Sequence, residues 1–453
     1  MKRSMLTGAA ALFLSSALVT ACGSNQTAQP QPQGAATDAA AGAAQKPVTL
    51  TMWAGTGFKE IEGYDSKNYG DWEKAKAKEF QKLYPNVTVN VEVVPFTDIE
   101  QKVNVAVAGN NPPDILYDNI PIRISKHARN NVLEEIEDVV KEDKADWKES
   151  FLAMGTINNK MYALPLGSVP QVVFLNKTIF DKKGVTVPKN RTWTWNEMKD
   201  ALKKVADKNT YGIAYFAKNE QADQLMVNNI LAAGAQWANK DFSQYTVNSP
   251  EGVEALTFML GLADEGLVAP GTATMDVNAN FELFKQGKLA VMNHTSPVYA
   301  DIESGKKNGA VDPSVEAYGI LPVVKEGVTP RLTVTGENGY AIFKQNDPDK
   351  KKMAVEFVKF LTKPENIKAI NKATYGIAAR KSGTYEVQNK DFAELFTQLN
   401  KLEIVDLGKN QAYFATLRQK FYPEMQAAFL KAKTPKQALD DFVKNANQLA
   451  AKK

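Results

Sequence analysis

The side chains able to do chemistry in this chain are few in kind. Cys22 is the one thiol among 453 residues, and the two histidines are His127 and His294. Neither histidine has a cysteine or a second histidine near it in sequence, so no zinc-type spacing or Cys–His pair arises. No Gly-x-x-x-x-Gly-Lys-Ser/Thr loop is present to cradle a nucleotide phosphate. What remains is a set of flat rings, carboxylates and amides at the ends of apolar runs. Trp53 ends one run and precedes Ala54-Gly55-Thr56-Gly57, a loop small enough for close approach. Tyr117, Asp118 and Asn119 follow another. Asn228, with Asn229 beside it, interrupts a helical stretch in which asparagine is a poor former. Glu337 and Asn338 stand between Gly336 and Gly339, where the backbone can turn inward. Rings stack on apolar C–H faces, and carboxylates and amides exchange hydrogen bonds with hydroxyls. The set therefore suits a polyhydroxylated solute. Asp118 and Glu337 can also be drawn as an acid and base, so an exported hydrolase or lyase stays open. Asp114, after Pro112-Pro113, reads as a structural capping residue.

These residues must be positioned by alternating strands and helices. Val48–Trp53 and Val87–Val94 are β-rich, and Asp114–Tyr117 is a short third strand. Trp72–Tyr84 and Ile99–Ala108 have helical spacing between them. A second region repeats the pattern. Gln171–Leu175, Leu289–Met292 and Tyr340–Phe343 read as strands. Val253–Glu265 and Lys350–Leu361 read as helices, and the tail from Phe414 is largely helical. Thr194 with Glu197 three residues on predicts a capping box at a helix start. Such alternation argues for an α/β fold with a parallel or mixed sheet covered on both faces.

Met1-Lys2-Arg3, an apolar run from Ala9 to Val19 and Val19-Thr20-Ala21-Cys22 form an export signal. The run is shorter than the roughly 20 residues a spanning helix needs. A cysteine at that place resembles a bacterial lipobox, with Val19 where leucine is usual. Lipidation at Cys22 is expected, with residues 1–21 removed. Residues 22–46 are Ala, Gln, Gly, Pro, Ser and Thr-rich, too poor in large apolar side chains to fold, and read as a tether. Loss of Lys2 and Arg3 takes basic residues from 55 to 53 against 51 acidic, about +2 net, which implies no nucleic-acid partner. The chain after Cys22 contains no cysteine, so its stability must come from its core.

Eight short motifs then stand in one order: Trp53, Asn111-Pro112-Pro113-Asp114-Ile115, Tyr162-Ala163-Leu164-Pro165, Phe174-Leu175-Asn176-Lys177, Thr194-Trp195-Asn196-Glu197-Met198, Phe284 to Met292, Tyr318 to Pro322, and Thr335 to Ile342. Together they resemble the extracellular solute-binding proteins of bacterial ABC importers, in the sugar-binding branch that includes maltose-binding protein. The resemblance covers about residues 48–445. It implies a two-lobe, periplasmic-binding-protein-like fold with hinge strands and a ligand cleft between the lobes. Crossings are expected near Leu164–Gly167, Arg331–Gly336 and Tyr375–Ile377. That puts 47–165 with 332–376 in lobe 1 and 166–331 with 377–453 in lobe 2. It also adds Trp237, Asn293, His294, Ser296, Tyr375, Arg380 and Tyr413 to the candidate ligand residues. Asp118 falls about where that family member has a stacking tryptophan, which speaks against a maltodextrin. The function implied is saccharide capture for a membrane permease, without catalysis, metal or cofactor, by a monomer held by lipid on the outer face of the cytoplasmic membrane. A Gram-positive surface is favoured, a periplasm otherwise. A peptide or other solute on the same fold is the alternative cargo.

Overall fold

The computed structural model describes residues 46–452, apart from Thr97 and Gln388. The export signal, Cys22 and the tether up to Gln45 lie outside the described residues. Thirteen strands are present among them. The first lobe is built on β1 (Val48–Gly55), β2 (Val87–Val94) and β3 (Ile115–Asn119), with a two-residue hairpin of β4 (Thr156–Ile157) and β5 (Lys160–Met161), and β6 (Ala163–Pro165). The second is built on β7 (Gly167–Asn176), β8 (Tyr211–Ile213), β9 (Leu289–Thr295), β10 (Ala317–Ile320) and β11 (Val334–Thr335). β12 (Asn338–Ile342) returns to the first sheet, and β13 (Ile377–Ala378) pairs in the second.

The first sheet has the order β2-β1-β3-β12-β6. β1 lies parallel to β2 and β3, whereas β12 runs antiparallel between β3 and β6. In β1 the buried residues Val48, Leu50 and Met52 alternate with exposed Thr49 and Thr51, the period of a strand with one covered face. All five residues of β3 are buried, as a central strand requires. Asp114 fixes the start of β3. Its carboxylate accepts from the Thr51 backbone N–H at 2.7 Å and the Thr51 hydroxyl at 3.0 Å, so its role is structural.

The second sheet is organised around β7, which has ten residues and is buried along nearly its whole length. Its first half pairs with β13 at Gly167 and Ser168 and with β11 at Val169 and Pro170. Its second half pairs antiparallel with β9 and β10. The chain leaves the first sheet at Leu166, returns between Thr335 and Asn338, and leaves again before Ile377. Gly336 makes the return with φ +65°, a left-handed value that costs an L side chain free energy.

Helices cover both sheets. Asp71–Leu83 buries Trp72, Ala77 and Phe80, and Pro348–Leu361 buries Met353, Phe357 and Leu361; the Phe80 and Phe357 rings meet at 5.0 Å. In the second lobe Trp195–Val205 starts on the Thr194–Glu197 capping box read from sequence, with both reciprocal hydrogen bonds present. The tail forms two helices, Phe414–Phe429 and Pro435–Ala450, that pack on each other. Strand ends differ from the sequence reading by one to four residues. β7 starts at Gly167 rather than Gln171 because its early pairings are with the short crossing strands, which carry no hydrophobic period of their own. Among the described residues no helix is long and apolar enough to cross a membrane.

Candidate functional site

Residues 336–338 separate two cavities at the crossings. Glu337 faces one, and its neighbours Gly336 and Asn338 face the other. The first cavity is a chamber of about 50 Å³. The first lobe gives it Asn119 and Ile122, β7 gives Gln171, and the second lobe gives Asp223, Phe414 and Arg418. Glu337 and Lys409 close it. The second cavity, about 160 Å³, holds Phe58, Tyr117, Ser168 and Asn338. It shares Gly57, Phe58, Pro297 and Thr374 with an outer space of about 360 Å³ that reaches Tyr69, Asp301 and Tyr375. Gly57 is needed there, since a Cβ would lie 2.2 Å from the Tyr117 hydroxyl.

The charges at the chamber are paired. Arg418 grips Asp223 with Nε at 2.6 Å and Nη2 at 3.0 Å, and Nη2 also donates to the Glu220 carbonyl at 3.2 Å. Lys409 donates to Glu337 and to the Val334 carbonyl. Behind Asn119, Asp118 is 1% exposed and held by Arg123 Nε at 2.8 Å to both oxygens. Burial lifts the Asp118 carboxyl above its ordinary range, and the Arg123 guanidinium works against that rise. Asn119 accepts from the Ile122 N–H at 3.0 Å, which shapes the wide turn Ile120–Ile124 and points that turn at the chamber. Next to the chamber a smaller space of about 10 Å³ is lined by Gln171, Asn228, Asn229 and Asn293.

The two lobes are tied around these spaces. The Arg129 guanidinium donates to the Asn410 carbonyl, and Asn410 Nδ2 donates to the Ala153 carbonyl at 3.1 Å. Ser296 Oγ, fully buried, donates to the Tyr375 carbonyl at 2.8 Å.

Of the residues expected from sequence, Asn119 and Glu337 line the chamber, and Asn228 and Asn293 line the adjoining amide-rich space. Tyr117 and Asn338 line the second cavity, their side chains hydrogen-bonded, and Tyr375 lines its outer extension. Ser296 stands next to Pro297 in that wall. The others lie elsewhere. Trp53 is inside β1, not at its end, and its ring sits under Lys102 Nζ at 4.4 Å. Trp237 is core: its indole packs on Phe421 and Phe442, and Nε1 donates to the Leu407 carbonyl at 3.2 Å. His294 packs on Phe281, accepts from the Thr295 N–H at 2.8 Å, and burial lowers its imidazole to about 4, so it is neutral at pH 7. Arg380 stacks on Trp147 and binds Asp143 and Asp146 at the edge of a separate 420 Å³ groove with Phe80, Tyr84 and Phe360. Tyr413 donates to the Phe242 carbonyl, while its neighbour Phe414 faces the chamber.

The charged and amide-bearing chamber residues missed from sequence are Gln171, Asp223, Lys409 and Arg418. Two had a readable signal. Gln171 is a lone polar residue before Val172–Leu175, and Arg418 sits among the buried positions Phe414, Leu417 and Phe421.

Residues 65–368, about two thirds of the chain, match the family of bacterial extracellular solute-binding proteins. The chain belongs to that family. The diacetylchitobiose binding protein DasA of Streptomyces coelicolor is 27% identical over 251 residues, 55% of this chain and 53% of that one. The chain spans about half the length of the curated relatives it matches. Among solved structures, the GacH receptor of Streptomyces glaucescens, studied unliganded and with acarbose, has a TM-score of 0.73 at 18% identity over 90% of this chain and 99% of its own. The cyclic alpha-maltosyl-1,6-maltose binding protein of Arthrobacter globiformis has 0.71 at 20% identity, over 90% and 100%. These likenesses establish the two-lobed α/β fold.

Proposed function

We propose that this chain is the extracellular substrate-binding lipoprotein of an ABC importer. It captures a saccharide between its lobes and presents it to the membrane permease. The observation that carries the reading is the chamber itself, where Asn119, Gln171, Asp223, Glu337, Lys409 and Arg418 converge from both lobes beside the ring of Phe414. That is the mixture of donors, acceptors and a flat face that a ring of hydroxyls requires. At about 50 Å³ the chamber has room for roughly one or two waters, so a sugar enters as the lobes part and is enclosed as they return. Solute contacts made to both lobes then favour the closed form over a pre-existing open one. The division into 47–165 with 332–376 and 166–331 with 377–453 is part of the proposal, and the pairing of Val334–Thr335 with β7 supports a second boundary a few residues later. The anchor at Cys22, the monomeric state, the place outside the cytoplasmic membrane and the permease contact belong to the same proposal.

Catalysis is disfavoured by chemistry. A glycosidase needs one carboxyl that keeps its proton and one that does not. Asp118 and Glu337 are each already held by a cation, Arg123 and Lys409, and Asp118 lies behind Asn119 and does not line the chamber, so the two carboxyls do not face each other across it as an acid and base would.

The test is the thermal midpoint of the protein with maltose, N,N′-diacetylchitobiose, mannitol and longer maltodextrins. A solute that binds only the folded form at a hundred times its Kd adds about 2.7 kcal/mol. A rise with one sugar class, the sugar recovered intact, supports the proposal. Sugar consumed during the assay would replace it with the enzyme reading.

A further inference from the structure

We propose that Gln171 selects the solute: its amide donates to an acceptor oxygen of an uncharged sugar or polyol, and Asn228 positions it to do so. This rests on the capture function proposed above and names the solute class that the chamber takes.

A chain of hydrogen bonds starts from a group whose polarity is fixed. The Thr333 backbone N–H can only donate, and it donates to Asn228 Oδ1 at 3.0 Å. That sets the orientation of the Asn228 amide without reference to its electron count, which is usually what leaves amide flips open. Asn228 Nδ2 must then face Gln171, where it donates to Oε1 at 2.5 Å. A reversed Gln171 would set two NH2 groups against each other. So Gln171 Nε2 is the end left over. It has no hydrogen-bond partner among the described residues, although the side chain is 3% exposed. Gln171 is also the residue shared by the chamber and the amide-rich space beside it. A buried N–H without an acceptor is unfavourable. Here the missing acceptor is supplied by the solute.

The charge on that solute follows from the neighbours. The four charged residues lining the chamber form two pairs, Asp223 with Arg418 and Glu337 with Lys409. Neither cation is left over for a phosphate or carboxylate. An anion placed there would have to displace a buried carboxylate or sit uncompensated in a space of low dielectric, and both are costly. A hydroxyl, ring or acetamido oxygen meets the Gln171 donor with no such cost.

The experiment compares the full chain with Q171L, Q171E and N228D by calorimetric titration and thermal midpoint. The probes are maltose, N,N′-diacetylchitobiose and mannitol, each against glucose 6-phosphate and glycerol 3-phosphate. Q171E keeps the oxygen that accepts from Asn228 and loses the donor. N228D keeps the Thr333 bond and releases Gln171 to turn. The expected result is binding of a neutral probe by the unaltered protein, weakened roughly tenfold in Q171L and N228D and further in Q171E. The ligand-free midpoint of Q171L should fall modestly, because Asn228 Nδ2 loses its acceptor; a purely structural glutamine would lower the midpoint and leave affinity for the neutral probe unchanged. Neutral binding that survives all three changes overturns the role of Gln171 and leaves the capture function standing. A phosphate ester bound as tightly as the neutral probe overturns the uncharged class. Failure of the unaltered protein to bind any neutral probe overturns both.

Discussion

The chamber wall and the interior of the first lobe both bury carboxylates, and they treat them differently. At the chamber Asp223 and Glu337, and behind its wall Asp118, each meet a guanidinium or ammonium. Beneath the first sheet, Glu73 on the helix Asp71–Leu83 is 1% exposed and its Oε2 has no partner among the described residues. It lies in the field of the buried Tyr117 and Tyr340 hydroxyls instead of a cation. Burial raises its carboxyl to about 7, against small opposing effects from its own backbone N–H and Lys74. The pairs at the chamber keep each carboxylate beside a cation, whereas the acid in the lobe interior has none and is only partly ionised near pH 7.

The largest effect is expected at the paired carboxylates. R418A should leave Asp223 buried without its cation and lower unfolding free energy by about 3–5 kcal/mol, read from urea midpoints. The double change D223N/R418Q should recover most of it; equal loss in the single and double variants would show that the pair does not act as a unit. The unpaired end shows itself through pH. The folded pKa of Glu73 is raised, so the folded protein holds the proton that the unfolded chain has released between about pH 4.5 and 7. Its contribution is therefore full below 4.5 and lost as pH climbs through 7, about 3 kcal/mol in all. Stability of the unaltered protein relative to E73Q should fall across that window and flatten above it. A parallel pair of curves would mean that Glu73 stays ionised. The smallest effect is a control between the two regions. W237F loses the bond to Leu407 and should cost about 1 kcal/mol of stability with solute affinity unchanged. A loss of affinity would return Trp237 to the cleft.

Local signals were legible and distant ones were not. The Thr194–Glu197 box spans four residues, so its geometry is implied by the spacing itself. Asn119 could be found because it closes a strand, and Glu337 and Asn338 because the glycines on either side let the backbone turn inward. Asp223 and Arg418 could not be paired, because their contact joins positions 195 apart and depends on how two helices meet. Trp237 was misplaced for a related reason. An indole flanked by Gly234, Ala235 and Gln236 reads alike in a cleft or a core, and the difference is set by Phe421 and Phe442 from the tail. His294 was ambiguous until Phe281 packed over it.

β7 gives the molecule a property that neither lobe has alone. One strand bonds to β13 and β11 at one end and to β9 and β10 at the other, with no linker between the two sets. Releasing either lobe from the native state strips partners from the strand on which the other is assembled. Melting is thus coupled across the hinge. Two lobes built on separate sheets form a single cooperative unit when the protein unfolds.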